Sequence, residues 1–233
     1  MAYVRSRARV DFEQNVNSLI QQAKKGSQKK YKIPYDLQQC IFRNSVFQCS
    51  SALEEYVYMI FSDWIDCLNA SNESIQKIPK EVISLTLLKL QKNIFHNYFL
   101  NGNEEKFIKN YLSLSHLNKY FDQSTKISDI NIHKSCITEK KYPSAENLNT
   151  IFKRFGINNF FDQVNGSGSK NFKLILSSFS DIRTAISHEF PVPDYTYKDI
   201  YKSLNDIINF VCHIDRVLYK HVCRVSGVRH WKR

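Results

Sequence analysis

From Leu37 to Leu68 the chain carries neither glycine nor proline, and Ile41, Val46, Phe47, Leu53, Tyr56, Val57, Ile60, Phe61, Trp64 and Ile65 recur at helical spacing. An unbroken segment with that period forms a long amphipathic helix whose apolar stripe other elements must cover. It is expected to be the spine of the fold. Only 6 Gly and 5 Pro occur in 233 residues, too few turn residues for the many hairpins of a sandwich or barrel. An all-α fold follows, and 16 Phe and 13 Tyr supply an ample core.

The other helices follow from the same reading. Phe12, Val16, Leu19 and Ile20 predict a helix over 10–24, stopped by Gly26 and Ser27, and Pro79 opens one over 81–99. A short helix is expected over 104–114. Residues 115–142 have little periodicity, and the 70–142 stretch reads as an insertion or cap between core helices. Ser144 followed by Glu146 starts a helix that Gly156 ends, and a flexible loop spans 165–169. The run 172–176 could be a strand, but its i, i+3, i+4 continuation to His188 favours a helix, which Pro191 stops. A last helix over 198–224 aligns Ile200, Leu204, Ile207, Ile208, Val211, Leu218 and Val222. The expected architecture is a single domain, 1–233, built as an antiparallel helical bundle of four or five long helices with an irregular, mostly helical insertion.

A net charge of +11 makes a polyanion a plausible partner. Positive charge concentrates at Arg5, Arg7, Arg9, Lys24, Lys25, Lys29 and Lys30, and again in the tail at Arg224, Arg229, His230, Lys232 and Arg233. The tail residues Arg224, Arg229, Lys232 and Arg233 are expected to be mobile contacts for phosphate. Six cysteines form no C-x-x-C pair, which suits a reducing compartment. With neither a signal-like start nor a long apolar run, the expected location is cytoplasmic, away from membranes. A metal site built from His116, His133 and Cys136 would follow no clustered ligand spacing, and neither metal nor cofactor is expected.

The chemistry-bearing segment is Asp181-Ile182-Arg183-Thr184-Ala185-Ile186-Ser187-His188. Arginine can hold a phosphate and histidine can move a proton, which suffices for cutting RNA because the 2′-hydroxyl supplies the nucleophile. The spacing alone does not select this pair, since Arg216 with His221 and Arg224 with His230 are similarly spaced. Within a continuous helix the first two pairs would point about 140° apart. Arg216 and His221 read as two solvated basic residues, and Arg224 and His230 as part of a mobile tail. His188 differs, because it stands at a helix end where the backbone could turn and bring the ring round. The partial negative charge of that terminus also favours a protonated ring. Asp181, Thr184 and Ser187 surround the pair as supporting polar groups, and Glu54 or Glu55 of the spine could instead pair with Arg183 as structural glue.

Three stretches carry a wider likeness: Arg43 to Tyr56 in the spine; Pro143 to Leu148, running on to Lys153-Arg154-Phe155-Gly156-Ile157; and Ile182 to His188. With these the chain resembles the HEPN superfamily of prokaryotic helical domains, and most of all the RiboL-PSP-HEPN type. The resemblance implies a helical bundle that dimerises so that Arg183 and His188 of both copies line one cleft. It implies metal-independent cleavage of RNA by 2′-oxygen attack, with His188 as general acid or base and Arg183 on the scissile phosphate. It also implies a toxin or antiviral-defence role, with an antitoxin or defence-system partner. Many active members carry Asn, Asp or His where this chain has Thr184. Phe190 replaces the tyrosine that is modified in one antitoxin-controlled subgroup. The competing reading is a catalytically silent HEPN-like module that binds RNA or assembles without cutting.

Overall fold

A computed structural model describes all residues except 1, 131, 133, 135–136, 138–141, 167–169 and 233. The described residues form eight α-helices and no strand: α1 (Arg7–Ser27), α2 (Tyr35–Asn69), α3 (Lys80–Asn101), α4 (Glu104–Leu112), α5 (Ala145–Arg154), α6 (Phe160–Asn165), α7 (Phe172–His188) and α8 (Tyr197–Val225). Five of them are long, as the periodicity predicts, and the ambiguous run 172–176 is helical.

Cross-helix contacts give the packing. Phe12 meets Tyr56 and Gly26 lies against Ile41, so α1 runs antiparallel to α2. Tyr56 reaches Asp215 and Trp64 reaches Ser226, which makes α2 and α8 parallel at the centre. Arg183 lies over Phe47, and Phe172 meets both Phe210 and His213, so α7 is antiparallel to both central helices. The core is dense in rings: Phe61 stacks on Phe155 at 4.1 Å, Phe152 on Phe160 at 3.9 Å, and Trp64 closes the same cluster. Such ring pairs add directionality to plain area burial.

Local signals set the helix ends. Ser144 caps α5 by accepting the Asn147 N–H at 3.2 Å, and Gly156, at φ +79°, lets the chain leave it. Thr196 and Asp199 form a reciprocal capping box at the start of α8. Between α2 and α5 the chain is anchored by buried Ile75, Ile78, Val82, Leu117 and Ile127. Beyond Leu87, α3 buries no side chain, and neither does α4; Phe95, Tyr98, Phe107 and Tyr111 pack against one another as a separate arm.

The tail corrects two expectations. It is not a mobile strip: His230 is buried, Trp231 donates from Nε1 to the Val4 carbonyl at 2.9 Å, and Arg7 N–H reaches the Lys232 carbonyl at 3.3 Å. Lys232 pairs with Asp63 at 2.7 Å, Arg229 with Glu73, and Arg224 donates to His221 at 3.1 Å. Arg233 lies outside the described residues. His221 is likewise not solvated: it is buried, with Nε2 2.9 Å from the Phe155 carbonyl. Amphipathic spacing put it on the margin of the apolar stripe, and the ring is drawn in because both nitrogens find partners.

Burial holds His213, His221 and His230 below the ordinary histidine range, with Arg216 and Arg224 adding to the effect at the first two. A group whose folded pKa is depressed contributes stability above its unfolded value and loses it as pH falls through the folded one. The melting temperature is therefore expected to decline as pH drops below about 6.5, and His221→Gln should flatten that decline. A melting series from pH 7.5 to 5 on both proteins checks this; identical slopes would rule out His221 as a contributor.

Candidate active site

α7 starts where Asn171 accepts the Leu174 N–H at 3.1 Å, and Phe172, Leu176, Phe179 and Ile186 fasten it to the core. Its last turn stays regular. The Glu189 N–H donates to the Ala185 carbonyl at 3.0 Å, and only Glu189 leaves the helix, in an extended conformation. The backbone therefore does not turn His188 toward Arg183 as expected. Within one chain the two side chains stay about 140° apart around the axis.

Each stands in a distinct setting. Asp181, Thr184 and His188, at i, i+3 and i+7, share one exposed face. Arg183 is part-buried on another face, toward α2. Its guanidinium carbon lies 5.7 Å from the centre of the Phe47 ring and 5.1 Å from that of Tyr142. Ser187 sits beside it and donates to the Arg183 carbonyl at 2.9 Å. Among the described residues no hydrogen bond or ion pair engages the guanidinium. The anticipated pairing with Glu54 or Glu55 is thus not formed. Glu54 lies two turns beyond Phe47 on α2, about 10 Å along the axis, and both neighbours of the guanidinium are rings.

The connection from α7 to α8 is tied down by α2. Arg43 donates to the Val192 and Pro193 carbonyls at 3.2 and 3.3 Å and to the Asp194 carboxylate at 3.2 Å. Buried Gln39 exchanges two bonds with the Tyr195 backbone, at 3.0 and 2.9 Å, and Tyr35 donates to Asp194 at 2.7 Å. This lashing fixes the helix end that carries His188 and leaves Phe190 98% exposed next to it. The sequence gives no site role to Gln39 or Tyr142, and it places Phe47 only on the apolar stripe of the spine. A polar residue every four positions at 35, 39 and 43 on an apolar helix was the available signal for the lashing.

The rival pairs are occupied. Arg216 lies over the Tyr3 ring at 5.5 Å, while His221 is sunk between α8 and Phe155. Arg224 is bonded to His221, and His230 is buried. His116 is exposed beside the Ser113 carbonyl, whereas His133 and Cys136 lie outside the described residues. Among the described residues no cluster of three metal-binding side chains occurs, and no helix is long and apolar enough to cross a membrane.

Fold and site together define an all-α domain that offers, from one penultimate helix, an exposed histidine and an arginine unpaired among the described residues. The chain belongs to the RiboL-PSP-HEPN family, whose model matches residues 10–220. No curated protein and no solved structure matches the chain. At the level of the family, membership carries an RNase-like or nucleotide-related function.

Proposed function

We propose that the protein is a metal-independent endoribonuclease whose active site is completed by two copies of the chain. The carrying observation is the Arg183 guanidinium, lying over two rings with no hydrogen bond or ion pair among the described residues, on the same helix as an exposed His188. Planar donors of this kind match the oxygens of a phosphodiester. Because one chain points the two groups apart, a two-fold pairing of α7 helices is what brings Arg183 of one copy near His188 of the other.

In that cleft a general base removes the 2′-hydroxyl proton, and the 2′-oxygen attacks phosphorus. The P–O5′ bond breaks, a 2′,3′-cyclic phosphate forms, and the departing 5′-oxygen takes a proton from a general acid. At each site one His188 takes the 2′-hydroxyl proton as base and returns a proton to the departing 5′-oxygen as acid, and the other copy's Arg183 carries the charge that grows on the phosphate oxygens. Thr184 and Asp181, on the His188 face, contact the ribose side. The family likeness extends this reading to a toxin or antiviral-defence effector under the control of a partner protein.

Lys24, Lys25, Lys29 and Lys30 give the RNA a path to the site. All four are exposed, and Gln38 bonds the Gly26 carbonyl at 2.9 Å while its neighbour Gln39 holds Tyr195. That places the lysine cluster at the bundle end where the His188 loop is lashed. Replacing the four by glutamine should weaken RNA binding uniformly across sequences and reduce the steepness of log K against log salt by up to about 3. An unchanged slope would remove the cluster from the path.

The direct test incubates purified protein with mixed RNA in EDTA. Cleavage leaving cyclic phosphate ends supports the nuclease, as does loss of toxicity on expression of the Arg183→Ala and His188→Ala variants. Intact RNA with salt-sensitive binding would instead make the protein a silent RNA-binding module.

A further inference from the structure

We infer that Phe47 and Tyr142 form an aromatic clamp that positions the Arg183 guanidinium for a phosphate, an assignment that rests on the nuclease reading of the same helix. The two rings come from elements far apart in sequence. Phe47 stands part-buried on α2, against the core. Tyr142 precedes α5, where its carbonyl accepts from Asn147 Nδ2 at 2.8 Å and from the Ser144 N–H at 2.7 Å, while Pro143 beside it is buried. The cap of α5 therefore holds the Tyr142 backbone, and α7 delivers Arg183 to both rings.

A cation beside an aromatic face is attracted by the ring's quadrupole, and this attraction uses none of the in-plane N–H groups. Two such faces at 5.7 and 5.1 Å restrict the guanidinium's reorientation while leaving its donors for a ligand. A carboxylate partner would fix the side chain too, but it would occupy those donors and cancel the charge. The Tyr142 hydroxyl is buried and has no hydrogen-bond partner among the described residues. The ring, rather than the hydroxyl, is therefore the part that acts. Phe47 and Tyr142 are positioning residues, and they touch RNA only through Arg183.

Two readouts on the full chain test the clamp, one of them independent of catalysis. In nitrogen-15 spectra the Arg183 side-chain resonance should be shifted by the ring currents in the wild type and in Tyr142→Phe. It should move to the position of a free arginine in Phe47→Leu and Tyr142→Leu. The second readout is affinity for an uncleavable 2′-O-methyl RNA oligonucleotide, expected to fall about ten-fold in both leucine variants and in Arg183→Ala, with Tyr142→Phe restoring it. Melting curves confirm that the variants are folded. A free-arginine resonance in the wild type would overturn the clamp whatever the protein does to RNA. A shifted resonance with equal affinity in the wild type and all four variants would also overturn it, because the clamp would then present nothing to phosphate. Lost affinity in the leucine variants from a protein that cuts no RNA would sink the nuclease reading and leave the clamp standing.

Discussion

Arg183→Ala and His188→Ala proteins, each about 10²–10³-fold slower than wild type alone, are expected to recover about a quarter of the wild-type rate when unfolded and refolded together. The recovery follows from the regular last turn of α7. Since Glu189 N–H still bonds Ala185, a single chain cannot swing His188 round to its own Arg183. If each site takes its arginine from one copy and its histidine from the other, a mixed dimer holds one site with both residues intact and one with neither. Random refolding makes about half the dimers mixed, each with one working site of two, hence the quarter. Sites built within one chain would give no recovery, because every mixed dimer would then hold two damaged sites. Light scattering on the same samples establishes whether dimers form, and a strictly monomeric active protein would refute the shared site directly.

The helices were legible because their signals are local. Proline marks three of the boundaries: α2 opens directly after Pro34, α3 after Pro79, and α7 ends at His188 ahead of Pro191. The α7 end matches its sequence expectation to the residue, while α2 starts two positions earlier than its first apolar residue, at Tyr35, which bonds Asp194 instead of the core. The candidacy of Arg183 and His188 was legible too, as residue chemistry. What surrounds them was not. The pairing of Arg183 with Tyr142 joins positions 41 apart across two intervening helices, and no period or cap encodes it. Glu54 was the natural guess because opposite charges attract, but the spine turns Phe47 toward Arg183 and carries Glu54 two turns away.

Charge was the least reliable guide, for a physical reason. The +11 surplus is a property of the whole chain, whereas phosphate contact depends on which cations remain unpaired. Both basic termini are largely committed: Arg5 and Arg9 share Glu13, Arg7 meets Asp11, Arg229 meets Glu73 and Lys232 meets Asp63. These ends stitch the chain's beginning to its finish across α2 and α8. The lysines at the other end of α1 have no such partner among the described residues, apart from Lys30 over its neighbour Tyr31. The local pairing thus moves the expected RNA path from the tail to the end of the bundle that holds the α7–α8 connection.

The stitching converges on one fully buried carboxylate, and its removal is expected to cost about 3 kcal/mol or more. Asp215, midway along α8, accepts from the Tyr3 hydroxyl at 2.5 Å, the Ser6 N–H at 3.2 Å, the Ser6 hydroxyl and the Tyr56 hydroxyl at 3.3 Å. Ser6 also caps α1 by accepting the Arg9 N–H at 3.1 Å, and Arg9 bonds both Tyr3 and Glu13. Burial pushes the Asp215 carboxyl above the usual carboxylate range, against the pull of the donors from Ser6 and Tyr3. Asp215→Ala leaves these donors facing a void in a dry interior, and the Ser6 N–H cannot rotate away. Asp215→Asn should cost less, about 1–2 kcal/mol, since its amide oxygen can take the Ser6 N–H while the hydroxyls of Ser6 and Tyr56 turn to accept. Urea unfolding measures both variants. Limited trypsin digestion adds a local readout, because chain freed from Asp215 should be cut at Arg5 and Arg7 well before the bundle opens. An Asp215→Ala protein as stable and as trypsin-resistant as wild type would mean that the rings of Tyr3 and Trp231, packed against Tyr219, hold the N-terminus without the carboxylate.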